Sequence, residues 1–164
     1  MNHEQFDLSR FLDAQGPVYA RVLSELAYGQ KRTHWMWYIF PQIDGLGFSA
    51  TTQYYAIKSV EEARQYLEHP VLGARLQTCA EKVLAIEGRT ISEIFGYPDD
   101  LKLKSSMTLF ACVPNSASVF VSVLDKYFRG ERDAKTLALL EKKRTQHRSR
   151  ECVSMNGDNN SVRK

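Results

Sequence analysis

Pro70-Val71-Leu72-Gly73-Ala74-Arg75-Leu76-Gln77-Thr78-Cys79-Ala80-Glu81-Lys82-Val83-Leu84-Ala85-Ile86-Glu87-Gly88 carries Leu72, Leu76, Cys79, Val83, Leu84 and Ile86 between a proline and a glycine. Their three- and four-residue spacing lays one apolar stripe along a helix, with Pro70 suited to the first turn and Glu87-Gly88 closing the last. The same period recurs in both directions, and no segment of useful length alternates with period two. The expectation is an all-α fold. Upstream, Asp7 can cap a helix carrying Leu8, Phe11 and Leu12. Gly16-Pro17 then breaks the chain before a second helix with Val18, Val22 and Leu26, which stops near Gly29. Ser59 with Glu62, and Thr90 with Glu93, have capping-box spacing. Downstream, Pro98 opens a helix toward Phe110, with Asp99 and Asp100 in its first turn, at the positive end of the dipole. Pro114-Asn115-Ser116 opens another, bearing Val119, Phe120, Val123, Leu124, Tyr127 and Phe128 and ending at Gly130, and Asp133 caps a last helix through Leu137 and Leu140. About seven or eight short helices in a single compact domain over residues 1–140 follow from this pattern, with residues 141–164 as a basic, flexible tail.

The chain has 164 residues, enough for one full-sized core and too few for two ordinary domains. With 43% hydrophobic and 25% charged residues, wholesale disorder is excluded. The formal charge of +3 is unevenly spread. Residues 141–164 hold seven Lys and Arg against three acids, whereas residues 1–140 hold fifteen against sixteen. The basic character therefore belongs to the tail, and nucleic-acid binding by the body is disfavoured. No apolar run approaches the length of a membrane span, and Met1-Asn2-His3-Glu4-Gln5 is neither basic nor apolar, so no membrane association and a cytoplasmic location are expected. Cys79, Cys112 and Cys152 have no metal-ligand or redox spacing, and the odd count fits a reducing compartment. His3, His34, His69 and His147 are scattered, so neither a metal nor any other cofactor is expected.

One segment does not read as plain core. Lys31-Arg32-Thr33-His34-Trp35-Met36-Trp37-Tyr38-Ile39-Phe40-Pro41-Gln42-Ile43-Asp44-Gly45-Leu46-Gly47-Phe48-Ser49 holds both tryptophans beside two cations and a histidine. Aromatic walls with a few converging polar groups are how pockets orient planar ligands. The Gly45-Leu46-Gly47 turn and the Ser49-Ala50-Thr51-Thr52 segment also offer backbone donors at a helix start, where an anion is favoured. A dinucleotide fingerprint is excluded, since the third glycine and the preceding strand are both missing. In the second polar stretch, Asp99-Asp100-Leu101-Lys102-Leu103-Lys104-Ser105-Ser106-Met107-Thr108, the buried cost of unpaired polar groups requires them to face solvent or a ligand. Lys102 and Lys104 point about 160–200° apart on a helix, so at most one reaches a shared site. Register with Asp100 and Thr108 favours Lys104, with Ser105 beside it.

These residues also carry a resemblance. Lys31 to Gln42, Gly45-Leu46-Gly47, Tyr55-Ala56-Ile57, Tyr66-Leu67 with His69-Pro70, Leu72-Gly73 and Arg75-Leu76, and Phe95-Gly96 with Pro98-Asp99-Asp100 and Ser105 through Phe110 resemble the domain-of-unknown-function 1810 family. Some members of that family carry the label "calpastatin". The likeness covers about residues 6 to 140 and implies a compact all-α fold of bacterial and fungal cytosolic proteins, without an established reaction. Thr52-Gln53-Tyr54-Tyr55-Ala56-Ile57-Lys58, with Pro70 and Ala74-Arg75, more faintly resembles an N-glycosidase family acting on ADP-ribose-type and riboflavin-pathway intermediates. That family has a glutamate where this chain has Thr52-Gln53-Tyr54, and Asp44 is the only local substitute carboxylate.

Two functions from different classes follow as expectations. In the first, a small phosphorylated or nucleotide-like ligand sits in a pocket lined by residues 31–49. Lys31, Arg32 and Lys104 hold its anionic oxygens, Trp35 and Trp37 stack its planar group, and Gln42 and Ser105 complete the contacts. His34 and Asp44 are the candidate proton-handling residues if an N-glycosidic bond is hydrolysed. In the second, the aromatic segment 34–40 forms a groove for a protein partner, without catalysis.

Overall fold

The computed structural model describes residues 5–155, which form ten helices and no strand. The helix that organises the rest is α8 (Asp99–Ala111). Leu103, Met107, Leu109 and Phe110 on it are completely buried, and every residue from Ser105 to Phe110 lies inside. A helix whose second half is buried on all sides has to run into the middle of a domain. Around it pack α5 (Val60–Glu68), α7 (Ile91–Phe95), α9 (Val119–Phe128) and α10 (Ala134–Met155). The opening stripe becomes α6 (Leu72–Ala85), whose Leu72, Leu76, Cys79, Ala80 and Val83 are buried against α9, α5 and α2 (Tyr19–Tyr28). On the other flank, α1 (Ser9–Gln15) lies on α3 (Met36–Ile39), which in turn meets α4 (Ala50–Tyr55).

Local signals set most boundaries. The Ser59 hydroxyl accepts the Glu62 N–H at 3.2 Å and the Thr90 hydroxyl accepts the Glu93 N–H at 3.2 Å, opening α5 and α7. Asp133 accepts from the Thr136 N–H at 2.9 Å and opens α10. His69 Nδ1 accepts the Val71 and Leu72 amides at 3.1 and 3.2 Å, so an imidazole caps α6 one residue before the proline. The count of ten exceeds the seven or eight expected because α3, α4 and α7 are one- or two-turn pieces, too short to complete an apolar stripe of their own. A single parallel bridge, Ile43 to Ile57, ties the loop after α3 to the end of α4.

Two expectations are corrected here. The Ser and Thr hydroxyls of α8 face neither solvent nor a ligand. Ser105 Oγ donates to the Leu101 carbonyl at 3.2 Å and Thr108 Oγ1 to the Lys104 carbonyl at 2.8 Å, so the helix satisfies these two buried hydroxyls one turn back. Ser106 Oγ is buried without a partner among the described residues. The last helix does not end at Leu140 but continues to Met155, with the side chains of residues 144–153 exposed all round. The remainder of the expected tail, residues 156–164, lies outside the described residues. No described helix is long and apolar enough to cross a membrane.

Gly73 sits where α5 turns into α6, and a Cβ there would lie 2.0 Å from the Leu67 carbonyl oxygen. Backbone cannot move aside as a side chain tip can. Gly73→Ala should therefore destabilise the fold by about 3 kcal/mol, the upper end of overpacking costs, read as a lower urea midpoint.

Candidate functional site

The candidate segment begins where α2 ends, and a buried carboxylate shapes it. Glu25, in the last turn of α2, accepts the Thr33 N–H at 2.7 Å, the Thr33 hydroxyl at 2.6 Å, the Trp35 indole N–H at 3.2 Å and the Arg32 N–H. Burial on its own raises the Glu25 pKa, but the donors from Thr33, Arg32 and Trp35 together outweigh it and hold the carboxyl below its ordinary value of 4.5. The loop from Arg32 to Trp35 is thus folded around a charge. Trp35 is pinned with only 1% of its surface exposed, its ring set against Phe40 and Phe95 at 6.2 Å each.

The next layer outward is ionic. The Lys31 N–H donates to the Ile94 carbonyl at 2.7 Å, which docks the segment on α7. Its ammonium lies 2.8 Å from Asp99 Oδ2 and 5.1 Å from the centre of the Trp35 ring, with 7% of the side chain exposed. Lys102 approaches the other oxygen of Asp99 at 3.6 Å and lies 5.1 Å from the centre of the half-buried Trp37 ring. Two ammonium groups thus share one carboxylate, each above an indole, and the trio carries one positive charge in excess. Arg32 is exposed, its guanidinium 4.9 Å from the Tyr28 ring centre.

Of the residues singled out from the sequence, Lys31, Trp35 and Trp37 meet in this cluster. His34 is exposed beside them and contributes its carbonyl, which accepts from the Tyr38 hydroxyl at 3.3 Å. The others go elsewhere. Lys104 pairs with Glu131 at 3.5 Å and lies 6.0 Å from the Phe128 ring centre, because position 104 faces α9 when position 102 faces the tryptophans. Ser105 is back-bonded inside α8. Asp44 lies between Lys58 at 3.7 Å and Lys143 at 3.9 Å, and Gln42 uses its carbonyl to accept the Ile57 N–H at 2.8 Å. At the expected anion donors, Gly45 packs against α10 and the hydroxyl of Ser49 is used as a helix cap. A Cβ on Gly45 would meet Leu139 at 2.9 Å, and the Ser49 hydroxyl and Thr52 N–H satisfy each other at 3.1 Å.

Two surface depressions, a groove of about 500 Å³ between Phe6, Leu8, Leu12 and His69 and one of about 740 Å³ between α6 and the Pro114-Asn115-Ser116 turn, are lined by other parts of the chain than residues 31–49. Burial pushes the Cys79 thiol up to about 12, which suits an inert core side chain. Among the described residues no group of three or more His, Cys, Asp and Glu is placed to hold a metal ion, and His3 lies outside them.

The sequence reading missed Glu25, Asp99 as an ion-pair partner, and Lys102. Glu25 had a signal: an acid in the last helical turn faces the negative end of the dipole, which is unfavourable unless donors approach from elsewhere. Asp99 and Lys102 had the i, i+3 spacing of a helical ion pair.

With this geometry in hand, the chain can be placed among known proteins. It belongs to the family described as protein of unknown function (DUF1810), which matches residues 5–140. Among solved structures it is similar to that of the conserved hypothetical protein Rv1873 from Mycobacterium tuberculosis. The two chains are 53% identical, with a TM-score of 0.82, and the likeness covers 84% of this chain and 99% of that one. None of the curated proteins matches.

The Glu25 carboxyl has a lowered pKa in the folded state, so its stabilisation is fully present above the unfolded value near 4.5 and is lost as pH falls through the folded value. Glu25→Gln should cost about 2 kcal/mol at roughly pH 7. The difference from the parent protein should shrink steadily below about pH 4.5, as measured by urea unfolding across that range.

Proposed function

We propose that the protein binds a small anionic ligand with a planar group, of the phosphorylated or nucleotide-like kind, on the face formed by Trp37 and Lys102, with the ammonium of Lys31 beneath it. The observation that carries this reading is the sharing of Asp99 between two lysines, each ammonium 5.1 Å from an indole centre. Lys102 makes the longer and weaker of the two ion pairs and is the more exposed, so it is the group free to turn from Asp99 to an incoming anion. An anion drawn there meets the excess positive charge, and a ring attached to it meets the exposed side of Trp37. Arg32 and His34, both exposed at the start of the same segment, supply further donors at the rim.

The proposal covers binding and not turnover. Hydrolysis would need a carboxylate or a base oriented at the ligand, and Asp44 is engaged with Lys58 and Lys143 while the His34 imidazole has no carboxylate partner among the described residues. The openness of the face, flanked by the exposed Tyr28 and Tyr97, favours one second reading, in which an acidic segment of a partner protein occupies it.

Thermal unfolding of the full chain in the presence of pyrophosphate, AMP, ADP and ADP-ribose tests the first reading. A ligand at a hundredfold excess over its Kd stabilises the native state by about 2.7 kcal/mol. The expected result is a shift with at least one of these ligands that Lys102→Ala reduces at least tenfold in affinity and Lys104→Ala leaves unchanged. No shift with any of them, or equal effects of the two substitutions, rejects the reading; capture of an acidic peptide that Lys102→Ala abolishes would favour the second.

A further inference from the structure

From Arg144 to Val153 every side chain of α10 is exposed, so this half of the helix stands clear of the domain. Ten residues rising 1.5 Å each make an arm of about 15 Å, too short to be a stable helix unaided, and it is continuous with the packed half that buries Thr136 and Leu140. The arm lies outside the family match described above. The family match ends at residue 140, and 84% of this chain already accounts for 99% of the Mycobacterium tuberculosis protein.

Its charges are arranged to a pattern. Glu141 pairs with Arg144 at 3.8 Å and Glu151 with His147 at 3.1 Å, so both acids are engaged within the helix. Lys142, Arg148 and Arg150 are exposed and have no ion-pair partner among the described residues. At about 100° per residue these three point to well-separated sides of the helix rather than to one face. An amphipathic membrane helix needs an apolar side, and a protein interface needs buried aromatic or aliphatic anchors. Between Arg144 and Val153 the apolar residues are Cys152 and Val153, adjacent in sequence and so about 100° apart around the helix. A helix with cations around its circumference and no apolar face matches a groove walled by phosphates on both sides.

We infer that the exposed half of α10, through Arg148 and Arg150 together with Lys142 at its base, is a sequence-independent arm for the phosphate backbone of a nucleic-acid duplex. The body takes no part, as its acids slightly outnumber its Lys and Arg. This stands apart from the ligand face at Trp37.

The test is fluorescence anisotropy of the full chain with a labelled duplex of about 20 base pairs at about 50 mM salt, repeated as salt rises. Binding is expected to weaken linearly on a log–log plot with a slope of about −3, for three phosphate contacts. The combined variant Lys142→Ala, Arg148→Ala, Arg150→Ala should bind at least tenfold more weakly with a flatter slope, at unchanged unfolding temperature. The charge-conserving Arg148→Lys, Arg150→Lys should keep binding. Absence of duplex binding, binding undiminished in the alanine variant, or stronger retention of the full chain on phosphatidylserine vesicles than on duplex would each overturn the inference.

Discussion

The carboxylate of Glu25 is the constraint from which the candidate site hangs. A buried charge is tolerable only when donors surround it, and here four donors come from three residues beyond the end of α2, Arg32, Thr33 and Trp35. Because Thr33 and the Trp35 indole must both reach it, the loop has one workable path. That path leaves Trp35 under the domain surface and carries Lys31 to α7 and Asp99. Trp37, two residues further on and over the start of α3, is left half exposed. The division of labour between the two tryptophans, one a wedge and the other a platform, thus follows from a single ion and its hydrogen bonds.

The electrostatics of the face follow in turn. Asp99 begins α8 and stands at the positive end of that helix, where a carboxylate is at home without any lysine. Two lysines then crowd one acid already favoured by the dipole, so an exchange of partners at the more exposed lysine costs little. A face of this kind is suited to reversible capture of an anion rather than to chemistry on it. At the rim Asp44 is likewise placed between two lysines, Lys143 of α10 and Lys58 of the segment between α4 and α5.

How much of this was written in the sequence depended on the range of the interaction. The Leu72 to Val83 stripe and the Ser59 and Thr90 caps act within a few residues, and they read out as helices at the expected places. The hydroxyls of α8 misled because a helix can satisfy them by bonding one turn back, which leaves no trace in spacing. Choosing between Lys102 and Lys104 required knowing which side of α8 meets the tryptophans. Helical geometry puts them on different sides, and the sequence held nothing to say which side meets Trp37. Trp35 and Trp37 share composition and neighbourhood, and only Glu25, ten residues from Trp35 and on another helix, separates them.

The central claim, that Glu25 sequesters one tryptophan so that the other is presented to an anionic ligand, can be read directly from the two indole N–H signals in a proton–nitrogen correlation spectrum of the full chain titrated with ADP. The account predicts a saturable shift of the Trp37 signal while the Trp35 signal, bonded to Glu25, stays in place. Movement of the Trp35 signal alone, or no movement of either up to the solubility of the nucleotide, would contradict it.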